Sequence, residues 1–93
     1  MAKYQKRPIV VEAVKWTGAN RDEMILFCPG AIIKEIVGLQ DAATGQPVYD
    51  LLVPTPSGNY LARVGDYIIK GVKGEFYPCY EDDFNMVYDK VGD

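Results

Sequence analysis

The sequence predicts one α+β domain over residues 1–93, with a small, twisted, mainly antiparallel sheet of five or six strands, one packed helix and a short C-terminal helix. Three observations predict this class. Short runs of β-branched and aromatic residues recur along the chain, separated by loops that contain Gly, Pro, Asn or Asp. Two other stretches have the apolar spacing of short amphipathic helices. The length of 93 residues suits a single domain.

The first part of the chain predicts a strand followed by a helix. Residues 8–16 are rich in Val and partly alternate, which is typical of a strand, and Pro8 suits the start of a strand at a sheet edge. Asn20 is predicted to cap a helix over residues 21–28, with Glu23 completing a capping box at the third helical position. The apolar face of that helix would consist of Met24, Phe27 and Cys28.

The remainder of the chain predicts more strands and a second helix. The predicted strands are residues 31–39, 48–53, 60–64, 67–69 and 75–77. Residues 65–80 contain two apolar runs around a Gly-rich turn, which indicates a β-hairpin against which the rest packs. Asp66 is predicted to hold the corner before this hairpin; alternatively, its carboxylate contacts a ligand or a cation. The carboxylates of residues 81–83 suit the first turn of the last helix, with Phe84 and Tyr88 on its inner face.

The composition argues against several classes of function. A net charge of −3 disfavours a nucleic-acid-binding protein, and the absence of His excludes His-based triads and the usual zinc sites. Residues 81–83 lack the spaced oxygen ligands of a calcium loop. Cys28 and Cys79 are predicted to be reduced thiols. We therefore expect a protein that is not an enzyme and has no catalytic residue, metal or cofactor.

The start of the given sequence is basic. Its cations form either a local basic patch or a solvated polar face; they are Lys3, Lys6, Arg7 and Lys15. No apolar run is long enough to span a membrane, and the N-terminus lacks the apolar stretch of a signal peptide. A cytoplasmic protein is the expectation.

The hairpin segment has a specific and extended sequence. Residues 65–79 are Gly-Asp-Tyr-Ile-Ile-Lys-Gly-Val-Lys-Gly-Glu-Phe-Tyr-Pro-Cys, and residues 7–16 form a second recognisable segment that ends in Glu-Ala-x-x-Trp. In both segments the chain resembles a family of small proteins of tailed phages and prophages. It departs from that family at Val64 and Tyr80, where Pro and Lys are common. The loss of the Lys weakens the inference that the hairpin binds an anion.

This resemblance implies a non-enzymatic phage or prophage accessory protein that acts by binding in the host cytoplasm. In the leading interpretation, a homo-oligomer sequesters a small, nucleotide-like signalling molecule of a host defence system. The aromatic site residues would stack on its base, and the cationic ones would contact its phosphates. The predicted ligand-binding residues are Arg7, Trp16, Arg63, Asp66, Tyr67, Lys70, Lys73 and Tyr77.

Three alternatives stay open from the sequence. Trp16 either fills the core or lines a binding site, because a Trp side chain is rarely buried completely. The protein either captures a small molecule or binds a host protein as an inhibitor or adaptor, with its acidic C-terminal half covering a basic surface. A third role is that of a minor structural or assembly component of the virion.

Overall fold

The computed structural model of the chain describes residues 1–92, apart from the side chain of Val37. Its elements are β1 (Glu12–Lys15), α1 (Arg21–Phe27), β2 (Ile32–Gln40), β3 (Pro47–Thr55), β4 (Gly58–Ala62), β5 (Tyr67–Lys70), β6 (Phe76–Cys79) and α2 (Glu81–Val87). The α+β class is confirmed, and all strand pairs over this range are antiparallel. Residue 93, the last of the predicted domain, lies outside the described residues.

The described strands form two sheets, where the sequence suggested one. One sheet has the order β1-β5-β6 and the other has the order β2-β3-β4. The division follows from the corner after β4: the chain turns there, and β5 then pairs with β1 from the start of the chain instead of with β4. Strand β6 still lies beside β3 and β4, so the two sheets are in contact.

The first strand is shorter than predicted, four residues in place of nine. The reason is the length of its partner. Glu12 is opposite Lys70, the last residue of β5, and the chain then turns away at Gly71. Residues 1–11 therefore have no regular secondary structure, and residues 1–10 are exposed although they include Ile9 and Val10.

The core lies between the two sheets and α1. Its buried residues are Trp16, Met24, Cys28, Leu51, Val53, Ala62 and Ile68. Phe27 of α1 packs edge-to-face on Phe76 of β6, with ring centroids 5.5 Å apart, so this pair joins the helix to the first sheet. The prediction that Met24, Phe27 and Cys28 form the inner face of the helix is confirmed.

The capping box predicted for α1 is wrong. Asn20 is the N-cap residue, but its side chain makes no capping hydrogen bond to the helix. Its Oδ1 instead accepts from the backbone N–H of Thr17 at 2.9 Å, and its Nδ2 donates to the Lys15 carbonyl at 2.7 Å and to Glu23 Oε1 at 2.8 Å. The side chain thus stabilises the turn between β1 and α1, since Asn bonds readily to nearby backbone.

Candidate functional site

Asp66 has the structural role that was expected for it. Its Oδ2 accepts from the backbone N–H of Arg63 at 2.9 Å, and its side chain is almost completely buried. Its carbonyl accepts from the N–H of Trp16 at 2.8 Å, while the N–H of Gly65 donates to the Trp16 carbonyl at 2.7 Å. Gly65 has a φ of +101°, which only Gly adopts readily. The corner is therefore held by hydrogen bonds to Trp16, the residue that follows β1.

Trp16 lies in the core and not on a binding surface. Its exposed fraction is 0%, and it belongs to the cluster that joins α1 to both sheets. A side chain with no exposed surface cannot stack on a ligand, so Trp16 is corrected from a predicted ligand contact to a core residue. Its indole Nε1 is buried with no hydrogen-bond partner among the described residues.

The four predicted phosphate-binding cations are exposed and belong to different segments of the chain. Arg7 is in the segment before β1, and Arg63 lies between β4 and the Asp66 corner. Lys70 ends β5, and Lys73 is in the turn that connects β5 with β6. Lys70 and Lys73 therefore lie close together in the chain at one hairpin, and no residue of this set lines either cavity described below.

A long surface groove lies between the two ends of the described chain. Residues 8–13 form one side, residues 84–92 form most of the other, and Tyr67 contributes from β5. We call it the terminal groove; its volume is about 750 Å³. The side chains along its rim include apolar residues with large exposed areas, with exposed fractions of 75% for Val10, 63% for Val87 and 67% for Val91.

The floor of the terminal groove contains three stacked aromatic rings. Tyr67 lies parallel to Phe84 with centroids 3.9 Å apart, and Phe84 stacks on Tyr88 at 4.9 Å. The inner face predicted for the last helix is therefore confirmed. We call these three rings the aromatic stack; it fixes α2 on the sheet β1-β5-β6, and it places offset ring faces next to an apolar rim.

Two lysines of the predicted basic patch lie against the aromatic stack. The Nζ of Lys6 is 5.6 Å from the centroid of Tyr88, and the Nζ of Lys15 is 6.0 Å from that of Tyr67. Lys15 also forms an ion pair with Glu81 at 3.2 Å. Two of the four cations predicted as a basic patch therefore contact α2 or the residue that follows it: Lys15 pairs with Glu81, and Lys6 lies over Tyr88.

Tyr77 lies beside the aromatic stack but does not line the terminal groove. It is on β6, opposite Ile69, and is half-buried. Burial raises the pKa of Tyr77 above its ordinary value, and the neighbouring Tyr88 hydroxyl adds to the rise. The Tyr77 hydroxyl therefore stays protonated at neutral pH, and it supports α2 from the side of the sheet.

A smaller pocket of about 310 Å³ lies between β4, β6 and the start of α2. Its lining includes Tyr60, Cys79 and the carboxylates of Asp66 and Asp83. Burial raises the pKa of the Cys79 thiol, and the two carboxylates raise it further. Because the thiolate is the reactive form of Cys, this side chain has little nucleophilic character at neutral pH.

The sequence did not predict the residues that line the terminal groove. Only Tyr67 was in the predicted ligand-binding set. The groove depends on Ile9, Val10 and Val11, which were assigned to a paired strand, and on Val87 and Val91 near the end of the chain. A signal was available in the first segment only: Ile9, Val10 and Val11 are apolar and β-branched and lack the polar alternation typical of a solvated face.

Comparisons with protein-family models, with curated proteins and with solved structures found no match to this chain. The resemblance to a phage family therefore stays a prediction. None of the helices over residues 1–92 is both long enough and apolar enough to cross a membrane. Within the same range, no three Cys, Asp or Glu side chains are grouped in a way that would hold a metal ion.

Proposed function

We propose that this protein is a non-enzymatic phage or prophage accessory protein that acts by binding, and that it binds its partner in the terminal groove. The observation that carries this proposal is the groove itself, an apolar surface with an aromatic floor and a volume of about 750 Å³. Sites for small ligands are usually about 300–1,000 Å³ in volume and mostly apolar.

The chemistry of the groove favours an apolar protein segment as its occupant. Its lining contains the ionisable side chains of Glu12, Asp89 and Lys90 together with the tyrosine hydroxyls, and Lys6 and Lys15 lie against the aromatic stack, so the site has no strong charge of either sign. A polyphosphate group would leave the exposed valines of the rim uncovered. An extended segment with apolar side chains, by contrast, would bury the exposed valines of the rim and contact the aromatic stack. This supports the host-protein inhibitor or adaptor over the nucleotide-like ligand for the single chain.

The state of the two thiols supports a binding role rather than catalysis by Cys. Cys28 is fully buried beneath α1, and burial raises the pKa of its thiol. Cys79 also has a raised pKa and donates to the Tyr80 carbonyl at 3.6 Å. Both side chains are therefore protonated at neutral pH, in which form they are poor nucleophiles.

Nuclear magnetic resonance with two probes tests the proposed site. Anilinonaphthalene sulfonate is the apolar aromatic probe, and ATP is the nucleotide-like probe. We expect the first to shift the backbone amide signals of residues 9–13 and 84–92, and ATP to leave them in place. Shifts confined to the hairpin around Lys70 and Lys73 with ATP would contradict the proposal and support the nucleotide-like ligand.

A matched pair of variants makes this test specific. Val87→Asp places a charge on the rim of the groove, whereas Leu26→Asp places the same charge on the outer face of α1, where Leu26 has an exposed fraction of 83%. We expect Val87→Asp to abolish the shifts caused by the apolar probe and Leu26→Asp to retain them. Equal effects of the two substitutions would mean that the probe does not bind in the groove.

The proposed location is the cytoplasm of the host cell. Mass spectrometry of purified virions and of the cleared lysate of infected cells tests it. We expect the protein in the lysate and not in the particles, since an accessory protein acts on a host component. Stoichiometric presence in the particles would favour the alternative of a minor structural or assembly component.

A further inference from the structure

The chain exposes more surface than a monomer of its length should. Its accessible surface is 7314 Å², whereas a compact monomer of this length exposes about 5,400 Å². Its radius of gyration is 15.0 Å, against about 12 Å for a compact domain. The excess of about 1,900 Å² is larger than the roughly 800 Å² that each partner buries in a standard protein–protein interface.

Part of this excess lies next to an unpaired sheet edge. Strand β1 is at the edge of the sheet β1-β5-β6, and over residues 1–92 no strand pairs with its other side. The preceding residues Ile9, Val10 and Val11 are β-branched, which favours a strand, yet β5 is too short to pair with them. Exposed edges of this kind tend to pair with another chain.

We propose that two copies of this protein form a symmetric dimer in which residues 6–12 of each chain pair as antiparallel strands, with Ile9 opposite Ile9 of the second copy. The six strands of the two sheets β1-β5-β6 then make one continuous sheet. This inference does not depend on the proposed function, because it concerns the edge of the sheet and not the occupant of the groove.

The direction of the backbone N–H groups allows this pairing. Trp16 donates its N–H to the Asp66 carbonyl, so even-numbered residues of this strand point their N–H groups toward β5. Odd-numbered residues, among them Ile9 and Val11, then point theirs toward the free edge, because successive residues alternate. Pro8 is even-numbered. Its missing N–H is therefore not needed at the free edge, and the ladder is not interrupted there.

Symmetry and charge select the register. Two residues that lie opposite each other in an antiparallel pair both point their backbone N–H groups toward the partner strand, or both point them away. In a two-fold dimer of identical strands, odd-numbered residues must therefore lie opposite odd-numbered ones, and one residue lies on the axis opposite itself. With Ile9 on the axis, Lys6 of each chain is opposite Glu12 of the other. In forming this pair the Lys6 side chain leaves the Tyr88 ring that it contacts in the single chain, since even-numbered side chains of the strand face away from α2. Opposite charges in such cross-strand pairs stabilise a sheet. Moving the axis to Val10 would place Pro8 opposite Glu12, and both charge pairs would be lost.

The same pairing explains the apolar rim of the terminal groove. Lys15, an odd-numbered residue, contacts Tyr67 and Glu81, so odd-numbered side chains of β1 face the side on which α2 lies. Ile9 and Val11 continue this face. In the dimer Ile9 packs against Ile9 of the second copy, Val11 lies opposite its Arg7, and the two terminal grooves meet at the axis as one longer site. Ile9 and Val11 are thus partly covered by the second copy.

Sedimentation equilibrium over a concentration series tests the dimer with two proline variants. Ile9→Pro removes an N–H from the free edge, whereas Val10→Pro removes one that points away from it. Both positions lie outside regular structure in the single chain, so neither substitution is expected to unfold it. We expect a dimer for the natural sequence and for Val10→Pro, and a monomer for Ile9→Pro. A monomer at all concentrations, or the same result for both variants, would overturn the proposal.

A second pair of variants tests the register. Lys6→Gln removes both charge pairs of the dimer and should raise its dissociation constant about fivefold. Lys3→Gln makes the same change in net charge outside the ladder and should leave the constant unchanged. The ratio between the two variants should fall at high salt, because the charge pairs are exposed to solvent. Equal dissociation constants for the two variants at low salt would overturn the register.

Discussion

The aromatic stack should be the main link between α2 and the rest of the protein, and Phe84→Ala tests this. Phe84 is the middle ring, 3.9 Å from Tyr67 and 4.9 Å from Tyr88 by centroid distance. Each stacked pair contributes about 0.5–1 kcal/mol, and the partial burial of the Phe ring contributes about 1 kcal/mol more. We therefore expect the free energy of unfolding to fall by about 2–3 kcal/mol.

The measurement is urea unfolding followed by circular dichroism, at one fixed protein concentration so that association does not alter the comparison. The matched control is Met86→Ala on the same helix, because Met86 has an exposed fraction of 84% and should change the free energy by less than about 0.5 kcal/mol. A loss below about 1 kcal/mol for Phe84→Ala would refute the reasoning, since α2 would then be held by other contacts.

Three further predictions concern the corner, a thiol and an ion pair. Gly65→Ala should lower the free energy of unfolding by about 1–2 kcal/mol, because φ is +101° there and the new Cβ would lie 3.3 Å from Glu81 Oε2. Thermal unfolding measures this loss, and an unchanged midpoint would contradict the prediction. Burial raises the pKa of Cys28, so the folded state retains this proton where the unfolded state releases it. The free energy of unfolding should consequently fall as the pH rises above about 8.5, the pKa of an unfolded thiol, and Cys28→Ala should flatten that dependence. Lys15→Gln breaks the ion pair with Glu81. Because both side chains are more than a third exposed, chemical denaturation should show that the free energy of unfolding falls by less than about 0.5 kcal/mol. A fall of more than about 1 kcal/mol would contradict the interpretation of this contact as a surface ion pair.

Local patterns in the sequence predicted the elements well wherever one short segment determines the structure. The hairpin of β5 and β6, the inner face of α1 and the aromatic face of α2 all depend on residues within a few positions of one another. The corner at Asp66 was predicted for the same reason, since its carboxylate bonds to a backbone N–H three residues earlier.

Features that depend on distant partners were not predicted. Residues 8–16 have the composition of one strand, but only four of them pair, because the length of β5 limits the ladder. The division into two sheets likewise depends on which strand β5 joins after the corner. The ligand-binding set failed to include most of the groove because it was selected by residue type, whereas the groove results from two chain ends that meet around Tyr67.

The burial of Trp16 gives this protein an internal optical reporter. It is the one Trp in the sequence, it has no exposed surface, and its indole N–H has no acceptor among the described residues. Its fluorescence should therefore be blue-shifted in the folded state and move to the red when the core opens. Because the indole lies away from the lining of the terminal groove, its emission separates unfolding from binding in one experiment.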